Sequence, residues 1–416
     1  MKVGTSRCLL TPQKEFYLIG YRSENRMYPA TGVHDDIYAN ALLFDDGQEE
    51  VFIFSADFLE FEEEMAEEVK TIINERYGIN RDCVLLMATH NHSSIVSYHK
   101  GWYTHKFDEA YYNHLINLIM KCYEECKFNK KNAKAKYGKK EILGYFGNRN
   151  HPGQPADNEV IVVKFYDENN EPFAGLVNWA VHSTVISADN TYLTAELAGN
   201  VSKKLDEYFG FTPAMVVGAA GDCSNRNERQ GNDFKELERV STALAKEIDM
   251  IEIDQEIELG TIQVQTLFHT VHHNMSFVHD ELKNEINKMK NKIAQSNDIK
   301  EINFLEKKIE NTKKELNINS FHLDAKGSVI QLGKLQLFVF PGELGSAFGK
   351  QMKKDYPYLG IICGYTNGYY EYFMPKEEYG LSFETIGCKI PKGEPEKMIK
   401  KYIQASKLLI EDKENE

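Results

Sequence analysis

Short apolar runs, each ending in a polar or reactive residue, recur along this chain. The most distinctive is VLLMATHNHSS, from Val84 to Ser94, which has the character of a buried strand and stops at Thr89-His90-Asn91-His92. VFIFSAD ends at Asp57, LVNWAVH at His182, MVVGAAGD at Asp222 with Ser224 two residues on, and LQLFVFPGE at Glu343. GIICGYTN leads into Asn367 and a tyrosine-rich stretch. In open α/β sheets ligands bind beyond the carboxyl ends of the strands. If these runs share one sheet, their ends bring two histidines, a carboxylate and a hydroxyl to one rim. On extended backbone His90 and His92 point to the same side. Such a pair suits metal binding or proton chemistry, and equally suits two satisfied polar side chains closing a strand.

Between the runs the pattern predicts the remaining elements. NALLFDD and VFIFSAD form a hairpin closed by Asp46-Gly47. EEEMAEEVKTIINERYG is an amphipathic helix with an acidic start and a stop at Gly78. With the His90 strand, the first ~90 residues read β-β-α-β, an α/β pattern. EVIVVKFYD and FAGLVNWAVHS form a second hairpin around Glu168-Asn169-Asn170, and helices follow in DEAYYNHLINLIMKCYEECK, AELAGNVSKKLDEYFG and FKELERVSTALAKEID. From Phe277 to Ile318 two narrow stripes, Leu282-Ile286-Met289-Ile293 and Ile302-Leu305-Ile309-Leu316, flank a polar link. They predict an antiparallel helical hairpin that leaves the core, with an inert insertion or a dimer contact preferred to a lid. His269, His272 and His273 do not share one strand face and are not expected to be ligands. The expected fold is α/β: a mixed central β-sheet system flanked by helices, one catalytic domain over 1–416 with the 277–318 insertion.

Composition narrows the function. The formal charge of −14 argues against a nucleic-acid partner, and no apolar run is long enough for a transmembrane segment. MKVGTSRCLLTPQKEF lacks the apolar core of a signal peptide, so a cytoplasmic location is expected. The seven scattered cysteines fit free thiols; Cys122 and Cys126 suit core packing, and Cys223 carries no nucleophile signature. Asn148-Arg149 is a candidate clamp for an anion or a carbonyl. The loop IGYRSENRMYPATGVHDD, with Arg22, His34 and Asp35, either folds over a site or lies in solvent. SSIVSYHKGWYTHKF, with His99, Lys100, His105 and Lys106, is a substrate-facing loop or an ordinary surface loop.

Taken together and in order, ATHNHSS, Asn148-Arg149, NWAVHST, GDCSNRN, FPGE, and NGYYEY followed by KEEY resemble the motifs of the neutral/alkaline non-lysosomal ceramidase family. The resemblance covers that family's catalytic domain and implies a zinc-dependent hydrolase of an amide (N-acyl) bond. It implies that His90, His182, Glu343 and Tyr372 bind Zn2+, with a water in the open position. It implies that His92 transfers a proton or stabilises an oxyanion, that Ser224 lies at the scissile carbonyl, and that Arg149 holds substrate or developing charge. Asp57 and Asp222 either orient ligand histidines or cap loops. Two departures stand out. The family's Gly-Pro-Gly-Gly-like loop is replaced by Ser94-Ile95-Val96-Ser97, and Phe383 stands where a tyrosine hydroxyl is expected. The expected partner is therefore a small-molecule or lipid-like amide, with weak action on long-chain ceramide, and the family's C-terminal immunoglobulin-like domain is expected to be absent. An esterase or other C–N hydrolase, an inactive metal-bearing binding protein, and a homo-oligomer joined through the helical hairpin are the alternatives.

Overall fold

The apolar runs do form strands, as their β-branched and aromatic content favours, but they do not share one sheet. A computed structural model describes residues 1–101, 106–154, 156–354, 356–385 and 388–414. Among these, three mixed sheets make up the body, with two-stranded ribbons between them. The first sheet runs Val84–Ala88, Glu50–Ala56, Tyr38–Asp45, Lys2–Leu9, Lys131–Asn132. The second runs Ala214–Val217, Pro172–Trp179, Glu159–Tyr166, Lys134–Glu141, Gln255–Ile257. The third runs Ile262–Asn274, Ser320–Leu332, Leu335–Val339, Leu359–Cys363.

Both predicted hairpins are present as antiparallel pairs. Each sheet also carries a parallel pair at one edge: Glu50–Ala56 with Val84–Ala88, Pro172–Trp179 with Ala214–Val217, and Leu335–Val339 with Leu359–Cys363. These three edges meet. Gly364 N–H donates to Val217 O at 2.9 Å, Asn367 N–H to Leu86 O at 2.9 Å, and Ala88 N–H to Tyr365 O at 3.1 Å. The Asn178 side-chain amide donates to both Val216 O and Ile362 O at 2.9 Å. Edge groups that would otherwise be buried without partners are thereby satisfied. The carboxyl ends of the three parallel pairs open onto one region, which is where the reactive residues lie.

Helices cover the sheets. Glu63–Tyr77 stops at Gly78, whose φ of 76° is the left-handed cap that glycine adopts without penalty. Glu109–Asn129 is capped by Asp108, which accepts from Ala110 N and Tyr111 N, and buries Cys122 and Cys126 as expected. One apolar core joins the first two sheets and takes in part of the third; a second lies between the third sheet and Ser346–Lys354 and Glu394–Glu414. No helix among the described residues is long and apolar enough to cross a membrane. The helical hairpin forms as Ser276–Gln295 and Ile299–Leu316, at the far end of the long pair Ile262–Asn274 and Ser320–Leu332. Ile286, Met289, Leu305 and Ile309 bury each other in a separate small core. Its second helix also rests against Glu24–Met27, part of the long polar loop.

Candidate active site

Strand Val84–Ala88 ends before the histidines, and His90 takes a left-handed φ of 55°. The extended-backbone argument for His90 and His92 therefore does not hold. The two rings converge because the chain turns, not because it alternates. His90 Nδ1 donates to Leu59 O at 2.9 Å, His92 Nδ1 to Gly20 O at 2.8 Å, and His182 Nδ1 to Ala220 O at 2.7 Å. A carbonyl only accepts, so each Nδ1 carries a hydrogen, and in a neutral ring Nε2 then presents a lone pair. Gly20 is required at this point: with φ 106°, any Cβ there would fall 2.4 Å from the His92 Cα.

The three Nε2 atoms face one another and Glu343. His92 Nε2 lies 3.0 Å from His90 Nε2. Glu343 Oε2 lies 2.9 Å from His182 Nε2 and 3.5 Å from His90 Nε2. His182 Nε2 is buried and has no hydrogen-bond partner despite that close oxygen. Burial lowers the His90 pKa to about 3 and holds His92 well below its ordinary value, so both rings are neutral. The three Nε2 atoms and the Glu343 carboxylate thus crowd one small space, with the lone pairs of the neutral His90 and His92 rings turned into it. Such an arrangement is repulsive as it stands, and a divalent cation resolves it. The donors, imidazole nitrogen and carboxylate oxygen, fit a metal of the zinc type.

Glu343 is set by backbone pairing. Glu343–Leu344 runs parallel to Tyr372–Phe373, with Glu343 opposite Tyr372. Gly221 N–H donates to Leu344 O at 2.8 Å. A Cβ on Gly221 would sit 3.0 Å from that oxygen, so this glycine serves the approach of the Glu343 strand. Tyr365 and Tyr369 hydroxyls donate to the two Glu343 oxygens, and the Tyr365 ring stacks on His90 at 4.2 Å. Neither tyrosine was singled out in the sequence, although both belong to its tyrosine-rich loop.

Tyr372 is held from the other side. Its hydroxyl accepts from Arg149 Nη2 at 3.1 Å. Burial and the Glu343 charge push the phenol up, and the adjacent guanidinium opposes them. Arg149 Nε in turn donates to Glu384 Oε1 at 2.6 Å, and Asn150 Nδ2 to Glu384 Oε2 at 2.7 Å. Glu384 is fully buried and had no sequence signal of its own. Ser224, also buried, forms a bridge to His182 and accepts from Arg226 N–H at 3.2 Å through its hydroxyl.

Several alternatives that the sequence left open resolve in the fold. Asp57 and Asp222 do not orient the histidines; backbone carbonyls do. Asp57 accepts from Tyr38 N–H, and Asp222 from Ser346 N–H and hydroxyl. Phe383 is 71% exposed, beside the buried Glu384. The polar loop is not a plain solvated segment: Gly20 holds His92, and the Tyr21 ring packs 5.1 Å from it. Lys100 pairs with Glu64, and His99 is buried against Glu60; His105 lies outside the described residues. Cys223 is a buried thiol pushed well above its ordinary pKa, not a nucleophile. His269, His272 and His273 lie on the edge strand Ile262–Asn274, as the spacing suggested.

Comparison with known proteins gives the family and the fold. The family model described as neutral/alkaline non-lysosomal ceramidase, N-terminal, matches residues 2–213. The solved neutral ceramidase from Pseudomonas aeruginosa is 16% identical, with a TM-score of 0.76 over 99% of this chain and 74% of its own. A structure of ceramidase complexed with C2 is 15% identical, with the same TM-score, over 99% of this chain and 75% of its own. At such identity the likeness is one of fold, and it extends through all three sheets. With the family match spanning just over half of the sequence, this protein belongs to the neutral/alkaline non-lysosomal ceramidase family.

Proposed function

We propose that this protein is a zinc-dependent hydrolase of N-acyl amide bonds. The observation that carries this reading is the cluster of imidazole Nε2 atoms at His90, His92 and His182 around the Glu343 carboxylate. His90, His182 and Glu343 hold the metal, and Tyr372 completes the set. When bound, zinc supplies Lewis acidity and a water of lowered pKa. The protein's own groups do the rest. His92, neutral and fixed by Gly20, accepts a proton at Nε2 and passes it to the leaving nitrogen. The Ser224 hydroxyl, adjoining His182, orients the substrate carbonyl. Arg149, braced by Glu384, stabilises negative charge as it develops. The solved relatives are named as ceramidases, which supports a lipid-like or smaller acyl amide as substrate. An ester is the alternative that the same groups would serve.

A second reading rests on the 3.0 Å approach of His92 to His90: His92 is a third imidazole ligand, and Tyr372 remains with Arg149. Metal analysis separates the two. The purified protein is expected to hold about one zinc per chain, and His90→Ala and His182→Ala to lose it. His92→Ala keeps the zinc but loses turnover under the first reading, and loses both under the second. Full zinc retention in His90→Ala and His182→Ala would remove the site.

A further inference from the structure

The arginines are placed very unevenly. The chain has nine: Arg7, Arg22, Arg26, Arg76, Arg81, Arg149, Arg226, Arg229 and Arg239. Five of them lie in the three loops that wall the site, 20–34, 147–154 and 222–232, and these loops contain no lysine. Their bonds tie them to the residues beside the candidate ligands. Arg26 Nη2 donates to Ser93 Oγ, next to His92, and its guanidinium lies 5.3 Å over the Tyr21 ring that packs on His92. Arg229 Nη1 donates to Thr184 O at 2.7 Å and to Val185 O at 3.1 Å, just past His182. Arg226 is joined through its backbone to the Ser224 hydroxyl.

Charge is not balanced there. Arg149 has Glu384, but among the described residues neither Arg226 nor Arg229 has a carboxylate at ion-pair distance. The nearby acids have other partners: Glu384, whose charge also reaches Arg226, is held by Arg149 and Asn150, Glu196 accepts from Ile186 N–H and Leu197 N–H, and Asp222 from Ser346. Partial burial and then the Arg149 charge make the exposed Arg226 less willing to stay protonated, with Glu384 opposing them and Arg229 adding to them. In a chain of net charge −14, the guanidinium groups of Arg226 and Arg229, without a carboxylate at ion-pair distance among the described residues and set beside a reactive centre, form an anion receptor. Arginine is the side chain whose planar fork matches a carboxylate.

Resting on the amide-hydrolase reading, we propose that Arg226, with Arg229 behind it, binds a carboxylate on the amine half of the substrate. The substrate class is then an N-acyl amino acid rather than a neutral sphingoid amide. The carboxylate of such a molecule is one carbon from the scissile nitrogen, which suits a cation adjoining Ser224. In the reaction the water oxygen bonds to the acyl carbon and the C–N bond breaks. The nitrogen takes a proton, releasing a carboxylic acid and an amino acid.

The test compares kcat/KM of the zinc-loaded full chain on N-dodecanoylglycine, on neutral N-dodecanoylethanolamine and on a short-chain ceramide. The glycine conjugate is expected to lead by about tenfold or more, the worth of one charge-assisted contact. Arg226→Glu should cut the glycine-to-ethanolamine ratio by a similar factor while zinc content and melting temperature hold. Arg76→Glu, an exposed arginine outside these loops, should leave the ratio unchanged. A wild-type ratio at or below one, or a ratio unmoved by Arg226→Glu, overturns the proposal while leaving an amide hydrolase. Failure to cleave all three amides overturns the hydrolase reading with it.

Discussion

Glu384 offers the most discriminating perturbation. Its carboxylate and the Arg149 guanidinium are 0% and 5% exposed, and their contact is 2.6 Å. Glu384→Gln keeps the volume but removes the charge, and it turns an amide N–H2 toward Asn150 Nδ2 or Arg149 Nε. Breaking one side of a buried pair costs about 3–5 kcal/mol, because the other charge stays buried without compensation. Unfolding entropy of about 2.1 cal/mol/K per residue, over 416 residues, makes one degree worth about 0.9 kcal/mol. Calorimetry should then show a melting temperature lowered by about 3–6 °C. Turnover should fall by about 10²–10³, the usual loss of one preorganised charge-stabilising group, since Arg149 is no longer braced against Tyr372. The double variant Arg149→Met with Glu384→Leu removes both charges, and apolar replacement of a buried pair is often neutral or stabilising. It should recover the melting temperature and remain inactive. Glu384→Gln with unchanged melting and unchanged turnover would refute the reasoning, as would a double variant no more stable than the single one.

Two other predictions concern parts outside the candidate ligand set. Replacing residues 277–318 by a short Gly-Ser loop should leave a folded, metal-binding chain, because the hairpin's apolar stripes bury one another in their own small core. Loss of solubility or of a dimer on deletion, seen by light scattering, would make the hairpin an interface instead. Burial raises the Asp57 carboxyl to about 7, against an opposing hydrogen bond from Tyr38 N–H. A raised folded-state pKa favours the native state at acid pH, so this contribution is full below about 3.8 and is lost as pH rises through about 7. Asp57→Asn should flatten the fall in stability between these limits, measured by urea unfolding at several pH values; an unchanged slope would count against it.

Much of the chain was legible before folding. Apolar runs of strand length and a φ-positive stop at Gly78 follow from local physics, so the two hairpins, the helices and the insertion stood out. His90, His92, His182, Glu343, Arg149 and Ser224 could be named because each follows or flanks such a run, whereas Tyr372 came only from the family resemblance; the structure brings all seven to one region. Three decisions belong to tertiary structure alone. The runs sort into three sheets joined at their edges, since strand pairing is made between segments far apart and an apolar run does not encode its neighbour. The histidines are oriented by the carbonyls of Leu59, Gly20 and Ala220, groups that every residue possesses and that leave no mark in a sequence. Glu384 meets Arg149 across 235 positions. A buried guanidinium must find a counter-charge wherever the fold can bring one, and only the folded chain sets which carboxylate that is.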